Sequence, residues 1–196
     1  MEDRDNQQEI AKETEKAWLA GFLEGDGYIT LSSQLASKKK KDSGLVVVPN
    51  IGFTNQDALL IERAKVICEK ISGTGGWINE IANNTAYKYP SSNPTIINLS
   101  VRKFSACSKI LEAIIPYLAG QKLARARLLL SFINRRLCHP RMPYDLDEVG
   151  IVKTFVETQI NGKNPRHGKT LRKFLRDFVP DVPRPRNEFG QFTPSA

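Results

Sequence analysis

Histidine and cysteine are scarce in this sequence. Two histidines (His139, His167) and three cysteines (Cys68, Cys107, Cys138) occur among 196 residues. The cysteines are odd in number and lack CxxC or Cys/His spacing, which argues against zinc and a disulfide framework and for buried thiols in a reducing compartment. No apolar run approaches the ~20 residues of a membrane span, so no membrane partner is expected. The first sixteen residues hold six acids against three bases, too acidic for a signal or transit peptide. An intracellular protein is expected, with organelle and prokaryotic cytoplasm equally compatible. Acids are in deficit overall, with 29 Lys and Arg against 21 Asp and Glu and a net charge of +8. The excess is concentrated in Lys38, Lys39, Lys40 and Lys41 and in residues 161–196, where eight bases face three acids. Such patches suit a polyanion as well as a solvated surface.

The length suits one compact domain plus tails. Apolar periodicity predicts a helix over 8–24, strands over 28–34 and 45–55, and a helix over 57–71. A strand starting at Trp77 and another over 95–101 follow, then helices over 105–115 and 121–137. Pro140 and Pro143 break the pattern before helices over 145–160 and 170–179. The expected class is α+β. An α-β-β-α-β-β-α core spans 8–137, a helical extension 138–180 and a Pro-rich tail 181–196. Hairpin-paired strands imply a four-stranded antiparallel sheet with helices on one face. Pro49 implies an edge, a bulge or a bend in the second strand.

Alternation assigns the two faces of that sheet. Ile29, Leu31, Ile51, Phe53, Ile78, Ile97, Leu99 and Val101 point to the core. Tyr28, Thr30, Ser32 and Gln34 point away, as do Asn50 and Thr54, Trp77 and Asn79, and Asn98, Ser100 and Arg102. This outer face is rich in amides and hydroxyls and poor in carboxylates, a composition suited to base edges more than to bulk water.

The stretch WLAGFLEGDGYI (18–29) holds two further signals. Ala17, Gly21 and Gly25 recur every fourth residue and form a small-residue ridge flanked by Trp18 and Phe22. Mid-helix glycine costs about 1 kcal/mol relative to alanine, and close approach of another backbone is the usual return. The ridge is read as a twofold interface, with packing inside the protomer as the alternative. At the helix end, Asp26 adds a carboxylate where the dipole is already negative. A cation is expected there, and Asp26 with the Gly25 carbonyl makes a hard-oxygen site for Mg²⁺ or a similar divalent metal. Two such sites brought together suit metal-assisted phosphodiester hydrolysis. Glu24 is read as a solvated or structural acid.

WLAGFLEGDG resembles the signature of the LAGLIDADG homing endonucleases, and the element order over 8–137 is similar to that family's core. The resemblance implies a saddle-shaped sheet over the DNA major groove, motif helices at the interface, and an acid at each helix end binding catalytic metal. Only one motif copy is found, which implies the homodimeric type acting on a long pseudo-palindromic double-stranded target. It also implies a polar residue ending the second strand, Asn55 or Gln56, that holds water near the scissile phosphate. A lysine is implied too, assigned to Lys122 with Lys103 as competitor. The basic segments would hold phosphates. The alternatives are an intron-encoded RNA maturase and a non-cleaving DNA-binding relative.

Overall fold

The structure, a computed structural model, describes residues 2–35, 45–81, 96–140, 142–160 and 169–178. The chain opens with α1 (Glu2–Asp26), which runs directly into β1 (Gly27–Leu35). Gly27 is needed at that junction. A Cβ there would lie 2.7 Å from Leu23 Cα and 2.8 Å from Leu23 O, closer than any side chain tolerates. Next come β2 (Leu45–Asn55), α2 (Ala58–Ser72), β3 (Trp77–Ile81), β4 (Ile96–Val101) and α3 (Phe104–Ile114). A 3₁₀ turn (Ile115–Tyr117), which periodicity had not indicated, leads to α4 (Gly120–Cys138), α5 (Leu146–Ile160) and α6 (Lys169–Asp177). α2 starts where Asp57 accepts the Leu59 N–H at 2.8 Å, the usual side-chain satisfaction of an orphan helix donor. α5 starts with a reciprocal pair: Asp145 Oδ1 accepts the Glu148 N–H at 2.7 Å and Glu148 Oε2 accepts the Asp145 N–H at 3.0 Å, the capping-box arrangement.

The strands form one antiparallel sheet in the order β1-β2-β4-β3. Pro49 lies within β2, opposite Leu31. β4 ends at Val101 opposite Ile51, so β2 has no strand beside it at Pro49 on that side. The neighbouring Val47 N–H points the same way and is satisfied by the Tyr144 hydroxyl at 2.8 Å. Pro49, two residues on, therefore sits where the ladder needs no N–H.

One continuous core fills the space beneath the sheet. Leu19 and Leu23 of α1, Ile29, Ile51, Phe53 and Leu99 of the strands, and Ile110 and Phe132 of α3 and α4 are all fully buried. Phe155 of α5 and Leu171 and Phe174 of α6 join the same cluster. The extension is thus packed against the sheet, and a fully buried Phe or Leu contributes about 1.5–3 kcal/mol. Arg136 ties its linker down, with its guanidinium 4.5 Å above the Tyr144 ring and 3.3 Å from the buried Glu148 carboxylate.

Candidate active site and nucleic-acid face

The end of α1 is held by two elements, β2 and α4. Asn55, the last residue of β2, donates from Nδ2 to Asp26 Oδ2 at 2.7 Å. Thr54 donates its hydroxyl to the Asp26 carbonyl at 2.8 Å. From α4, Lys122 Nζ donates to the Leu23 carbonyl and, at 2.6 Å, to the Glu24 carbonyl. Glu24 answers by accepting the Ala119 N–H at 2.9 Å, where Ala119 is the N-cap of α4. The two helix ends are therefore cross-capped: a cation from α4 sits on the negative end of α1, and an acid from α1 sits on the positive end of α4. Glu24 is a structural acid in this arrangement. Burial pushes the Lys122 ammonium below the ordinary lysine range, Glu24 and Asp26 pull it back up, and Arg125 lowers it.

This geometry revises one expectation. The helix end was expected to need an external cation, yet the lysine already supplies positive charge there. What remains open is narrower. Leu23, Glu24 and Asp26 carbonyls each accept a side-chain donor, whereas the Gly25 carbonyl receives none among the described residues. Asp26 is exposed, and its Oδ1 is not used by Asn55. Asn55, not Gln56, touches Asp26, and Gln56 faces solvent. Lys103 precedes α3 as its N-cap and is exposed, so of the two lysines it is Lys122 that reaches the motif helix.

The outer sheet face is assembled from all four strands. Tyr28 pairs with Gly52, Gly52 with Ser100, and Ser100 with Trp77; one row on, Thr54, Asn98 and Asn79 are neighbours. The Tyr28 ring lies over Gly52, where a Cβ would overlap the ring and hydroxyl. From there the Tyr28 hydroxyl donates to Asn98 Oδ1 at 3.1 Å. Ser100 donates to Asn50 Oδ1 at 2.7 Å and accepts from Arg102 Nε at 3.2 Å. Trp77 Nε1 donates to Asn79 Oδ1. Asn50, Asn98 and Ser100, expected to be open, are buried, at 6%, 7% and 4% exposure. Large side chains beside them, Tyr28 and Arg102 among them, lie across the short ones. Trp77 and Asn79 are exposed; Thr30, Ser32 and Thr54 are half-buried. Lys38 to Lys41 lie outside the described residues, as does the side chain of Gln34. On α6, Arg172, Lys173 and Arg176 face out while Leu171 and Phe174 are buried.

On α1, Ala17, Gly21 and Gly25 are exposed, and a Cβ added at either glycine meets nothing within 4 Å. Packing inside the protomer does not explain them. Trp18 and Phe22 are half-buried. Phe22 stacks on Phe53 at 5.6 Å and touches Trp18 at 5.2 Å, and Arg63 covers Trp18 at 4.3 Å. Both aromatics thus spend much of their surface within the protomer.

No family model and no curated protein matches this sequence. Solved structures do. The chain is similar to homing endonuclease I-CvuI in complex with I-CreI target DNA in the presence of 2 mM Mg (17% identity, TM-score 0.58, 87% of this chain and 99% of that one). It is similar to the archaeal intron-encoded homing endonuclease I-Vdi141I complexed with DNA (15% identity, TM-score 0.59, 83% and 93%). It also matches the LAGLIDADG homing endonuclease I-GzeII in complex with its DNA target (18%, TM-score 0.53), covering 84% of this chain but 50% of that one. The fold is that of the LAGLIDADG homing endonucleases. Within the LAGLIDADG fold, the topology brings Asp26, Asn55 and Lys122 together from α1, β2 and α4. The Gly52 notch, the Glu24 cross-cap and the burial of the amides went unnoticed in the sequence. Gly52 alone left a trace, as a glycine in the middle of an otherwise bulky strand.

Proposed function

We propose that the chain is a metal-dependent, site-specific double-strand DNA endonuclease acting as a homodimer on a long pseudo-palindromic target. The observation that carries this reading is the end of α1. An exposed carboxylate oriented by Asn55 stands beside an open main-chain carbonyl, on a helix whose small-residue ridge is free to meet a second copy. The match to half of the I-GzeII chain supports two such units forming the whole enzyme.

The donor set fits a hard divalent cation such as Mg²⁺, because Asp26 Oδ1 and the Gly25 carbonyl are both oxygen ligands. No group of three or more His, Cys, Asp or Glu suited to a metal occurs among the described residues. One protomer therefore offers part of a coordination sphere, to be completed by a second copy, water and phosphate oxygens. Bound there, the cation would supply Lewis acidity for phosphodiester hydrolysis. Asn55 fixes the Asp26 carboxylate in one orientation. Lys122 spends two of its three N–H donors on carbonyls, which leaves one for a phosphate oxygen or an ordered water. The sheet face would read bases, and the basic segments would neutralise phosphates.

Asp26→Asn keeps shape and hydrogen bonding but removes the charge. Cleavage of a target duplex should fall by orders of magnitude while affinity holds or rises, because a carboxylate near the phosphates is gone. An Asp26→Asn protein that cuts at the wild-type rate would overturn the assignment.

A further inference from the structure

Some hydrogen bonds on the outer sheet face can run in one direction only, and that direction restricts what the face can recognise. An indole N–H and a guanidinium N–H donate and never accept. Trp77 therefore obliges Asn79 to turn its carbonyl toward the indole. Arg102 donates to Ser100 at 3.2 Å, and the Ser100 hydroxyl hydrogen passes to Asn50 Oδ1 at 2.7 Å. Tyr28 likewise donates to Asn98 Oδ1 at 3.1 Å. Turning the Asn79 amide over would set its N–H2 group against the indole N–H, whereas the Tyr28 and Ser100 hydroxyls can rotate to accept from Asn98 and Asn50. The orientation of Asn79 is thus locked by a neighbour on the same face.

The amide nitrogen is what Asn79 has left to offer. None of the three amide nitrogens has an acceptor among the described residues. Of the three, Asn79 is exposed, whereas Asn50 and Asn98 are buried beneath their neighbours. No outward position of the four strands carries a carboxylate. Thr54, its hydroxyl hydrogen spent on the Asp26 carbonyl, keeps acceptor lone pairs on the same face. Asn79 and Asn98 are direct cross-strand neighbours, and Asn50 lies four residues from Thr54 along β2, about 13 Å away.

We infer that Asn79 is a donor-only contact: its amide nitrogen selects acceptor atoms in the major groove, guanine O6 and N7 or thymine O4. An unrestrained asparagine pairs with both N6 and N7 of adenine through its carbonyl and its amino group. With the carbonyl turned to the indole, adenine loses the second of those bonds and keeps only N7, and the Asn79 amino group offers the cytosine N4 no acceptor. The inference rests on the reading of this chain as a DNA endonuclease and deepens it to the class of base edge that Asn79 takes.

The experiment is selection of bound sequences from a randomised duplex by wild type, Asn79→Asp and Trp77→Phe. Both substitutions are at exposed positions, and phenylalanine retains the aromatic ring. Wild type should enrich guanine or thymine at the base that Asn79 contacts. Asn79→Asp, an acceptor in place of a donor, should turn one base pair toward cytosine or adenine and so identify the pair that Asn79 reads. Trp77→Phe should act at that same pair, because the freed amide can now turn over. Discrimination against adenine there should drop roughly tenfold, the scale of one bidentate pair. A Trp77→Phe profile identical to wild type, or changed at a different pair only, would overturn the inference while leaving the nuclease reading in place. So would a wild-type preference for adenine or cytosine at the Asn79 pair. A wild-type protein that binds no duplex would overturn both.

Discussion

Gly52→Ala tests the outer face through a single methyl group. The new Cβ would fall inside the Tyr28 ring, against Cζ, Cε1 and the hydroxyl oxygen. The β2 backbone cannot retreat, because it is paired to β1 through Tyr28 and to β4 through Ser100 at that residue. The ring has to move, and since it lies on the open side of the sheet it can swing outward. That breaks the Tyr28–Asn98 hydrogen bond, worth about 0.5–1.5 kcal/mol net, within a general overpacking cost of about 1–3 kcal/mol. Replacing a strand glycine returns about 0.5–1 kcal/mol. The expected net loss is about 1–2 kcal/mol, or roughly 2–8 °C in Tm for a chain of this length. The assay is a thermal or urea melt of Gly52→Ala, Tyr28→Ala and the double variant. With the ring absent, the extra methyl should cost nothing or stabilise slightly, giving a coupling of about 1–2 kcal/mol between the two sites. Additive losses, within about 0.5 kcal/mol, would refute the reasoning.

Glu24→Ala should cost about 1–2 kcal/mol by uncapping α4, while Glu24→Gln retains an acceptor for the Ala119 N–H and should recover most of it in the same melts. Gly21→Leu should leave the protomer's far-UV spectrum and compactness intact, since nothing lies within 4 Å of its added Cβ, yet separate the copies in light scattering; a wild type that is monomeric both free and on DNA would defeat the dimer. Burial pushes the Cys68 and Cys107 thiols up to about 12 from 9.0, so at pH 8 a thiol reagent should label the exposed Cys138 and reach the other two only on unfolding. The sign for stability follows: between about 9 and 12 the native state retains protons that the unfolded chain has released, so stability should fall as pH rises through that window. Leu171→Ala should cost about 2–5 kcal/mol, measured by urea titration, because α6 contributes to the main core.

Local pattern carried most of the element list. The strand read over 45–55 is Leu45–Asn55, and the helix read over 57–71 is Ala58–Ser72 with Asp57 as its cap. Alternation and helical spacing are properties of neighbouring residues, so they survive without knowledge of the fold. The opening helix extends to Asp26 itself, two residues past the apolar run, because Gly27 makes the turn. Asp26 could be singled out from sequence for a similar reason: a carboxylate between glycines at a helix end is a local electrostatic anomaly.

The partners of these residues were another matter. Asn55 meets Asp26 across 29 residues of sequence, Tyr28 meets Asn98 across 70, and Lys122 meets the Glu24 carbonyl across 98. No spacing rule reaches that far, because such contacts depend on strand register and on how α4 packs against α1. Amino-acid type and periodicity determined the elements, their buried faces, the acid at the helix end and the exposed glycine ridge. Tertiary structure decided that Asn55 and not Gln56 orients that acid, and that a lysine from α4 already supplies the charge the helix end wants. It also decided that the amides of the sheet face accept, through their carbonyls, from donors on neighbouring residues. A side chain's chemistry is written locally, but the direction of its hydrogen bonds is set by whichever group the folded chain brings beside it.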